Sequence, residues 1–524
     1  MPVSAKKTQR VAVLADSDTR WKWGALTARR LIPEHTGNAG GAESGDSPRE
    51  GESTGEGESA GEGQSAGEGQ SAGKGEYAGK GERARKGEYA AKGESARTGE
   101  SARKGGTVRL DGYLLRGRAT PTARQLQEVG ARADTLREVT AVEFLRAVEE
   151  NAAGEEPYDV VVLALVGGGV QAMLHGLGRI FAGRPERPVV VTGYVGVVYE
   201  KLTDGLLLRH GADLVLANSR QDAERFRAVY EGVGADASAV TEVALPFLGG
   251  APYAGGPGPS GRRGRRPYTV VFAAQPSVPE RRADRVHLLD RLIRHARRHP
   301  DREVLLKLRS RPGEHTTHIE ELPYQKLVRR ADPPANLRLV HGRMGEVLDR
   351  TDLLVTVSST AALEALHRRI PTAVLTDLGV REALGNHHFV GSGCLASWDQ
   401  LDAGYRPVPD EKWLARQGVA AGGDGTGGHE AAFDTARARI AGLLAAPGGL
   451  PPLAPYYTHA TAPGYLPGIL ARHHLGPDGG PLPGAPAAGR EPGPVRRAVR
   501  RAARGAYRHG VQRVAPVIRR MGEL

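Results

Sequence analysis

The chain has 524 residues, with 72 Lys or Arg against 60 Asp or Glu, which gives a formal net charge of +12. This length allows two or three domains with apolar cores, and an apolar fraction of only 39% indicates that these domains are diluted by segments that do not fold. The single cysteine, Cys394, excludes a disulfide framework and a cysteine-rich zinc site and is typical of a reducing cytosol. No apolar stretch has the length of a signal peptide or the ~20 residues of a membrane-spanning helix, so we expect a cytoplasmic protein.

Strands and helices alternate in the first half of the chain. The predicted strands are 10–15, 108–115, 159–166, 188–194, 213–217 and 240–245, and the predicted helices are 21–31, 122–130, 141–151, a helix from about 170, and 219–233. Strands that are apolar throughout and alternate with helices predict a parallel sheet covered on both faces. We therefore expect a Rossmann-like first domain made of residues 1–36 and 107–248.

A low-complexity insert interrupts this first domain at residues 37–106. It contains a hexad repeat, written S-A-G-E-G-Q or S-A-G-K-G-E, and holds 20 of the 72 Gly with a net charge of −3. Because it has almost no branched apolar residues, it cannot bury a core, and we predict that it is disordered. A β-solenoid would need an inward-facing apolar residue in every repeat, and only Ala and an occasional Tyr recur.

The alternation restarts after a Gly- and Pro-rich linker at 249–267. The predicted strands are 268–274, 303–308, 337–340, 352–357 and 372–376, and the predicted helices are 279–299, 344–350 and 359–369. These elements predict a second Rossmann-like domain at 268–445, followed by a Pro/Gly-rich segment at 446–493 and a basic tail at 494–524. The fold class is therefore α/β, with two doubly wound domains that face each other across a cleft.

Hydroxyl residues follow the buried strand at 352–357. Ser358, Ser359 and Thr360 begin a helix, where free backbone N–H groups and the helix dipole favour an anion such as a phosphate. Glu364 lies one turn further along on the face of Thr360, where a carboxylate can accept hydrogen bonds from ribose hydroxyls. The structural alternatives are an ordinary N-cap for Ser359 and a solvated helix face for Glu364.

The stretch from Val340 to Leu375 resembles the nucleotide-binding segment of GT-B glycosyltransferases. It is similar to that of UDP-sugar 2-epimerases, CDP-glycerol glycerophosphotransferases and bacterial sialyltransferases, in which a Ser/Thr pair binds phosphate and a later Glu binds ribose. Residues 10–35 and 107–445, including the opening A-D-S-D-T-R-W-K-W, also resemble an actinobacterial family of glycosyltransferases without an assigned substrate. The resemblance implies a GT-B fold, a nucleotide-sugar donor bound by the second domain and an acceptor bound by the first.

Cations are expected at the mouth of the cleft. Alternation along the chain places Lys307, Arg309 and Arg311 on one side, where they could bind donor phosphates and stabilise the leaving group without a metal. The related transferases have a His-Pro pair at this point, and Arg311-Pro312 stands there instead, so the nucleobase stays open. His341 follows another strand and is a candidate contact for the base or pyrophosphate. The alternatives are a basic strand end that is solvated or paired with Glu314, and a turn histidine.

Asp16 and Asp18 follow the first strand of the first domain, with Lys22 on the next helix. Carboxylates at the carboxyl end of a strand face the cleft, and an inverting transferase needs a base for the acceptor hydroxyl. Asp18 is the candidate base, and N-capping of the next helix is an equally good account of it.

Two other motifs predict no site. The Gly167-x-Gly169-x-x-Ala172 pattern formally matches a dinucleotide fingerprint, but it follows a late strand, and we interpret it as allowing close backbone approach. The pair His387-His388 lacks a ligand at i+4 and does not predict a metal. We expect no metal site and no bound cofactor, with the nucleotide sugar acting as a substrate.

The basic tail at 494–524 holds nine Arg against one acid and accounts for +8 of the net charge. Val and Ala recur in it at near-helical spacing, which is typical of a helix that lies on an anionic membrane surface, and a merely solvated cationic tail is the alternative. Since aromatic residues do not interleave with these cations, we expect no nucleic-acid partner. The sequence therefore predicts a GT-B glycosyltransferase acting on a cell-envelope polymer, with a sugar-nucleotide epimerase and a non-catalytic nucleotide- or lipid-binding protein as alternatives.

Overall fold

The structure, a computed structural model, describes residues 8–32, 108–197, 202–255, 266–311, 314, 322–419 and 427–484. The predicted disordered insert at 37–106 and the basic tail at 494–524 lie outside these residues, as does Pro312.

The first half of the chain builds a seven-stranded parallel sheet. Its strands are β1 (Gln9–Ala15), β2 (Val108–Leu115), β3 (Thr135–Val139), β4 (Val160–Ala164), β5 (Val189–Gly193), β6 (Leu214–Ala217) and β7 (Val240–Glu242). They lie in the order β3-β2-β1-β4-β5-β6-β7. The strand order reverses between β1 and β4, which is the point where open α/β sheets bind ligands.

Six helices accompany these strands along the described part of the chain. They are α1 (Asp18–Leu31), α2 (Ala123–Val129), α3 (Ala141–Ala152), α4 (Gly167–Ile180), α5 (Leu202–Leu207) and α6 (Arg220–Gly232). Local chemistry fixes their starts: Ser17 caps α1, and Thr122 and Thr140 form capping boxes with Gln125 and Glu143. Gly167, Gly168 and Gly169, which precede the predicted helix start at about 170, form the first turn of α4.

Close approach fixes α1 against the sheet. A Cβ on Gly112 of β2 would lie 2.6 Å from the ring of Trp21 and 2.7 Å from Leu136, so only glycine fits there. Trp21 and Trp23 are fully buried on α1 and pack with the apolar side chains of β1 and β4. The W-K-W sequence of α1 is therefore explained by packing of both tryptophans against the sheet.

The second sheet has six parallel strands. They are β8 (Thr269–Ala273), β9 (Glu303–Lys307), β10 (Leu337–Val340), β11 (Leu353–Thr356), β12 (Thr372–Leu375) and β13 (Leu395–Ala396), in the order β10-β9-β8-β11-β12-β13. Its helices are α7 (Arg282–Arg298), α8 (Tyr324–Val328), α9 (Met344–Leu348), α10 (Ala361–His367), α11 (Trp398–Asp402) and α12 (Glu411–Arg416), with 3₁₀ turns at Glu382–Leu384 and Asn386–Phe389. Its order reverses between β8 and β11, so both sheets repeat one plan, and the α/β fold with two Rossmann-like sheets is confirmed.

The chain then returns to the first sheet. Helices α13 (Gly427–Ala431), α14 (Asp434–Leu444) and α15 (Leu466–Arg472) follow the second sheet in sequence. Yet Ile440 of α14 joins the apolar cluster around β1 and β4, and Leu466 and Leu470 of α15 join the cluster around α3 and α4. Residues 427–445, which the sequence pattern assigns to the second domain, therefore pack with the first, and part of the Pro/Gly-rich segment is a structured piece of its core. Within the described residues, no helix is long and apolar enough to cross a membrane.

Candidate functional site

The loop after β1 lies at the switch point of the first sheet. Asp16 accepts hydrogen bonds from Arg20 Nη1 at 2.8 Å and from the backbone N–H of Val166 at 2.9 Å, so both of its oxygens are engaged. It thereby ties the loop after β1 to the loop after β4. Ser17 is the N-cap of α1, so the capping role we considered for Asp18 belongs to its neighbour. Asp18 is the first residue of the helix, and its carboxylate is left to face the second domain.

The corresponding loops of the second sheet are joined by Gln275 and Ser358. The Gln275 side chain donates to Ser358 Oγ at 3.2 Å and accepts from the backbone N–H of Ser358 at 3.0 Å. The Ser358 hydroxyl donates to the carbonyl of Leu384 at 2.5 Å, and the side chain is 1% exposed. Ser358 therefore holds three loops together and does not present its hydroxyl to the cleft.

Ser359 and Thr360 are the hydroxyl residues that reach the start of α10. The Ser359 hydroxyl accepts from the backbone N–H of Ala361 at 3.3 Å, and the Thr360 side chain lies next to Gly196 in the loop after β5 of the first sheet. A Cβ on Gly196 in that loop would lie 2.9 Å from Thr360 Oγ1, and φ of Gly196 is +93°. Glycine therefore allows the first domain to approach Thr360 closely.

Lys307 ends β9 and is a buried cation. Its side chain is 8% exposed, and Nζ donates to the carbonyl of Leu308 at 2.9 Å. Burial lowers the pKa of Lys307 to about 8, while the nearby carboxylates of Glu128 and Glu364 favour its charged form. A cation held in this way is close to losing its proton and gains strongly from an incoming phosphate.

Arg309 connects the second domain to the first. Its guanidinium donates to Asp18 Oδ1 at 2.9 Å and also contacts the Thr19 hydroxyl. Asp18 is 14% exposed at its side chain, and Arg309 is 30% exposed. The predicted base and one predicted donor-binding cation therefore form an ion pair across the cleft.

Glu364 makes a second connection across the cleft. Its carboxylate lies 3.7 Å from Nζ of Lys22 on α1. Lys22 Nζ also lies 4.6 Å from the centroid of the Phe247 ring. Lys22, which the sequence singled out only beside Asp18, is thus a partner of the predicted ribose-binding carboxylate.

A third group surrounds His341. Burial lowers the pKa of His341, and the cationic side chains of Lys307, Arg311 and Arg124 lower it further. The ring atom Nε2 is buried and has no hydrogen-bond partner among the described residues. The imidazole is therefore neutral near pH 7, with an unused nitrogen beside three cations.

Arg124 of α2 belongs to this site, although the sequence did not indicate it. Its guanidinium contacts both Glu128 and Glu314, and Arg311 donates its backbone N–H to Glu314 Oε2 at 2.7 Å. Glu314 therefore pairs with Arg124 across the cleft and with the main chain of Arg311, and the Arg311 side chain is not its partner. The start of α2 after β2 is the signal that could have indicated Arg124, since it lies at the same sheet edge.

One group of described residues has the composition of a metal site. His295, His299 and Asp402 place one ligand atom each within 4.8 Å of one another. His295 Nδ1 is 2.6 Å from Asp402 Oδ1, and Arg302 lies 3.3 Å from His295 Nε2. Both ring nitrogens are thus engaged, and Arg291 lies 3.6 Å from Asp402, so the arrangement fits a buried hydrogen-bond network better than a cation site.

Comparisons with known proteins identify a family for this chain. Residues 95–432 match the family described as "Putative glycosyltransferase (DUF6716)". Among curated proteins, none matches this chain. Solved structures that are similar include UDP-bound MnaA from S. aureus, with 10% identity, a TM-score of 0.42 and coverage of 81% of this chain and 94% of that chain.

Two further similar structures bind the same nucleotide. UDP-GlcNAc 2-epimerase from Neisseria meningitidis, bound to UDP-GlcNAc, has 9% identity, a TM-score of 0.41 and coverage of 83% of this chain and 100% of that chain. The pneumococcal O-GlcNAc transferase GtfA, in complex with UDP and GlcNAc, has 11% identity, a TM-score of 0.33 and coverage of 57% and 56%. Because the family match spans well over half of the chain, the protein belongs to this glycosyltransferase family, and its two facing Rossmann-like sheets are those of a GT-B-like enzyme.

Proposed function

We propose that the protein transfers a sugar from a nucleotide-activated donor, linked to CMP, CDP or UDP, to a cell-envelope glycopolymer or glycoconjugate without a metal ion. The observation that carries the proposal is the pairing of predicted residues across the cleft, Arg309 with Asp18 and Glu364 with Lys22. Both pairs join the carboxyl edges of the two sheets, where a ligand of an α/β sheet binds.

The donor nucleotide lies against the second domain in this proposal. Its phosphates face Lys307, Arg309 and Arg311, and the hydroxyls of Ser359 and Thr360 add donors at the start of α10. The ribose hydroxyls take the place of Lys22 as partners of Glu364. The unused Nε2 of His341 is available to the base or pyrophosphate.

The cations of the cleft supply the charge that the leaving nucleotide needs. As the bond to the sugar breaks, negative charge grows on the phosphate oxygens, and fixed cations at hydrogen-bond distance stabilise it. Lys307 is already buried, so its interaction with a phosphate is screened little by water. This arrangement supports a reaction that needs no metal ion.

Asp18 is the residue that we assign as the base for the acceptor hydroxyl. In the structure its carboxylate is held by Arg309, and binding of a donor phosphate would draw Arg309 towards the nucleotide. The carboxylate is then free to accept the proton of an acceptor hydroxyl as the new bond to the sugar forms. Asp16, with both oxygens engaged by Arg20 and Val166, positions the loop that carries Asp18.

We further propose that the enzyme works at the cytoplasmic face of the membrane. The basic tail at 494–524, with nine Arg and one acid, suits an anionic lipid surface, where each cation contributes ~1 kcal/mol.

Donor binding is tested by calorimetric titration with CMP, CDP and UDP in the presence and absence of EDTA. Glu364→Gln should weaken binding of the preferred nucleotide by about tenfold, since it removes a charge-assisted hydrogen bond to ribose worth ~1.5 kcal/mol or more. Glu346→Gln on the neighbouring helix α9 is the matched control, because Glu346 is exposed and its partner among the described residues is Arg343. Equal binding in both variants would contradict the proposed donor site. Binding that disappears with EDTA would contradict the proposal that no metal is needed.

Turnover of the bound donor tests the assignment of Asp18. Asp18→Asn should lower transfer and hydrolysis of the corresponding nucleotide sugar by about 100-fold or more while nucleotide affinity changes little, since a general base contributes about that much. Glu150→Gln, an exposed acid on α3 of the same domain, should leave turnover unchanged. Undiminished turnover in Asp18→Asn would show that Asp18 is not the base. An epimerised nucleotide sugar formed without any acceptor would show that the protein is an epimerase and not a transferase.

A further inference from the structure

A pocket of 480 Å³ is lined by residues of both domains. Its walls are the N-terminal half of α6 from the first domain, and the 3₁₀ turn Asn386–Phe389 and helix α12 from the second. None of the residues that we assign to donor or acceptor lines it. The volume lies within the ~300–1,000 Å³ that is typical of small-molecule pockets.

Positive charge dominates the lining of this pocket. Arg225, Lys412 and Arg416 line it together with a single acid, Asp410, whose carboxylate accepts the backbone N–H of Trp413 as the N-cap of α12. Among the described residues, Lys412 has no carboxylate within ion-pair distance. The pocket therefore carries an excess of unneutralised positive charge.

The other two cations are only partly neutralised. Arg416 pairs with Glu224 at 2.5 Å, and both side chains are about half exposed. Arg225 reaches its nearest acid, Asp222 Oδ1, only at 3.8 Å, and that oxygen is buried without a hydrogen-bond partner among the described residues. A guanidinium held so loosely can turn towards an anion in the pocket.

One wall of the pocket is apolar. The rings of His388 and Trp413 lie 5.8 Å apart, and Phe389 packs behind Trp413 at 5.6 Å. Burial lowers the pKa of His388 to about 4, with Arg225 and His387 acting in the same direction, so this ring is neutral at pH 7. Val390 beside it is 59% exposed and adds apolar surface to this wall.

We propose that this pocket binds a phosphate-bearing small molecule, with the phosphate held by Arg225, Lys412 and Arg416 and an uncharged portion, about the size of a monosaccharide, against Trp413 and Val390. The pocket is in the size range of small-molecule sites, which is larger than a phosphate alone requires. The ligand is therefore a phosphorylated molecule of sugar size.

Such a ligand would connect the two domains. Next to the pocket, Gln417 Nε2 already donates to Gln221 Oε1 at 2.6 Å, and Arg416 pairs with Glu224, so α12 and α6 meet there. A phosphate that contacts Arg225 on α6 and Lys412 on α12 adds a further bond between the same helices. Because it binds only the folded arrangement, it raises the melting temperature, and the rise grows with the logarithm of the ligand concentration once that concentration exceeds Kd.

The test uses the full chain and titrates glucose 1-phosphate by calorimetry and by thermal unfolding, with glucose and inorganic phosphate as partial probes. We expect one site, a rise in melting temperature, weaker binding of inorganic phosphate and no binding of glucose. Arg225→Gln/Lys412→Gln should weaken glucose 1-phosphate by tenfold or more, and both positions tolerate the change because their side chains reach solvent. Arg298→Gln, an exposed cation on α7, is the matched control and should bind as the native chain does.

The experiment also separates this pocket from the donor site. Lys307→Met should leave glucose 1-phosphate binding unchanged, whatever its effect on nucleotides. Equal affinity in the native chain and in Arg225→Gln/Lys412→Gln would overturn the proposal. Loss of binding in Lys307→Met, or displacement by the nucleotide that the donor site prefers, would also overturn it, because the probe would then occupy the donor cleft.

Discussion

Lys307 is the residue whose protonation should be visible in donor binding. Burial lowers its pKa to about 8, and Glu128 and Glu364 raise it less than burial lowers it. The ammonium is therefore charged below pH 8 and loses its charge as the pH rises through 8. Since a nucleotide phosphate binds the charged form, donor affinity should be constant from pH 6.5 to 7.5 and fall by about tenfold towards pH 9.

Calorimetry across this range, with the nucleotide that the protein prefers, measures the effect. Lys307→Arg is the control, because a guanidinium stays charged up to pH 12 and should bind with a nearly flat profile. A native profile that matches the profile of Lys307→Arg would show that Lys307 does not contact the donor.

At the same scale, the sequence predicted the neighbourhood of the site better than the role of each side chain. The position of a residue after a buried strand places Asp16, Asp18 and Ser358 at the carboxyl ends of their strands, with Glu364 on the helix that follows, and the strand order of the structure makes these ends the switch points. It does not say which oxygens are already engaged, because those partners come from distant segments. Ser358 bonds to the carbonyl of Leu384, and Asp16 bonds to the N–H of Val166, so neither is available as the residue type suggested.

At the scale of elements, buried strands were predicted well and edge elements poorly. The predicted strand at 108–115 has the bounds of β2, whose last six residues are buried. The predicted strand at 337–340 has the bounds of β10 and is the exception among the edge strands, since β10 lies at the edge of its sheet and only Leu337 in it is buried. Strand β3 was missed, since it lies at the sheet edge and exposes Arg137 and Glu138. Strand β13 has only two residues, too few to show a period.

The starts of the helices depend on capping and packing that the apolar pattern does not show. Helix α1 begins at Asp18, three residues before the predicted start, because Ser17 caps it. Helix α4 begins at Gly167 although glycine is a poor helix former, since packing outweighs propensity there. A Cβ on Gly167 would lie 2.8 Å from Leu208, so the helix end can approach α5 only without a side chain.

At the scale of the whole molecule, the two domains are not consecutive pieces of chain. The sequence shows two α/β alternations, and both are present as sheets with one strand order. It does not show that α14 and α15 return to the first sheet, because the apolar residues of a helix do not reveal which of the two sheets they cover. Leu466, Leu470 and Leu475 are each at most 1% exposed and pack with the core around α4.

This return of the chain predicts that the first domain depends on residues beyond the second sheet. Burying each of these leucines contributes ~2 kcal/mol, and together they rival the ~5–15 kcal/mol by which a whole domain is stable. A chain ending at 445 should therefore lose the cooperative unfolding of its first domain in differential scanning calorimetry, whereas a chain ending at 484 should keep it.

Leu470→Ala in the full chain should lower the free energy of unfolding by ~2–5 kcal/mol, and Leu444→Ala, at a side chain 36% exposed, by far less. Equal melting temperatures of these two point variants would mean that α15 does not belong to the core of the first domain. The approach of Ile469 on α15 to Gly168 on α4, at 3.7 Å from an added Cβ, would then contribute nothing to stability.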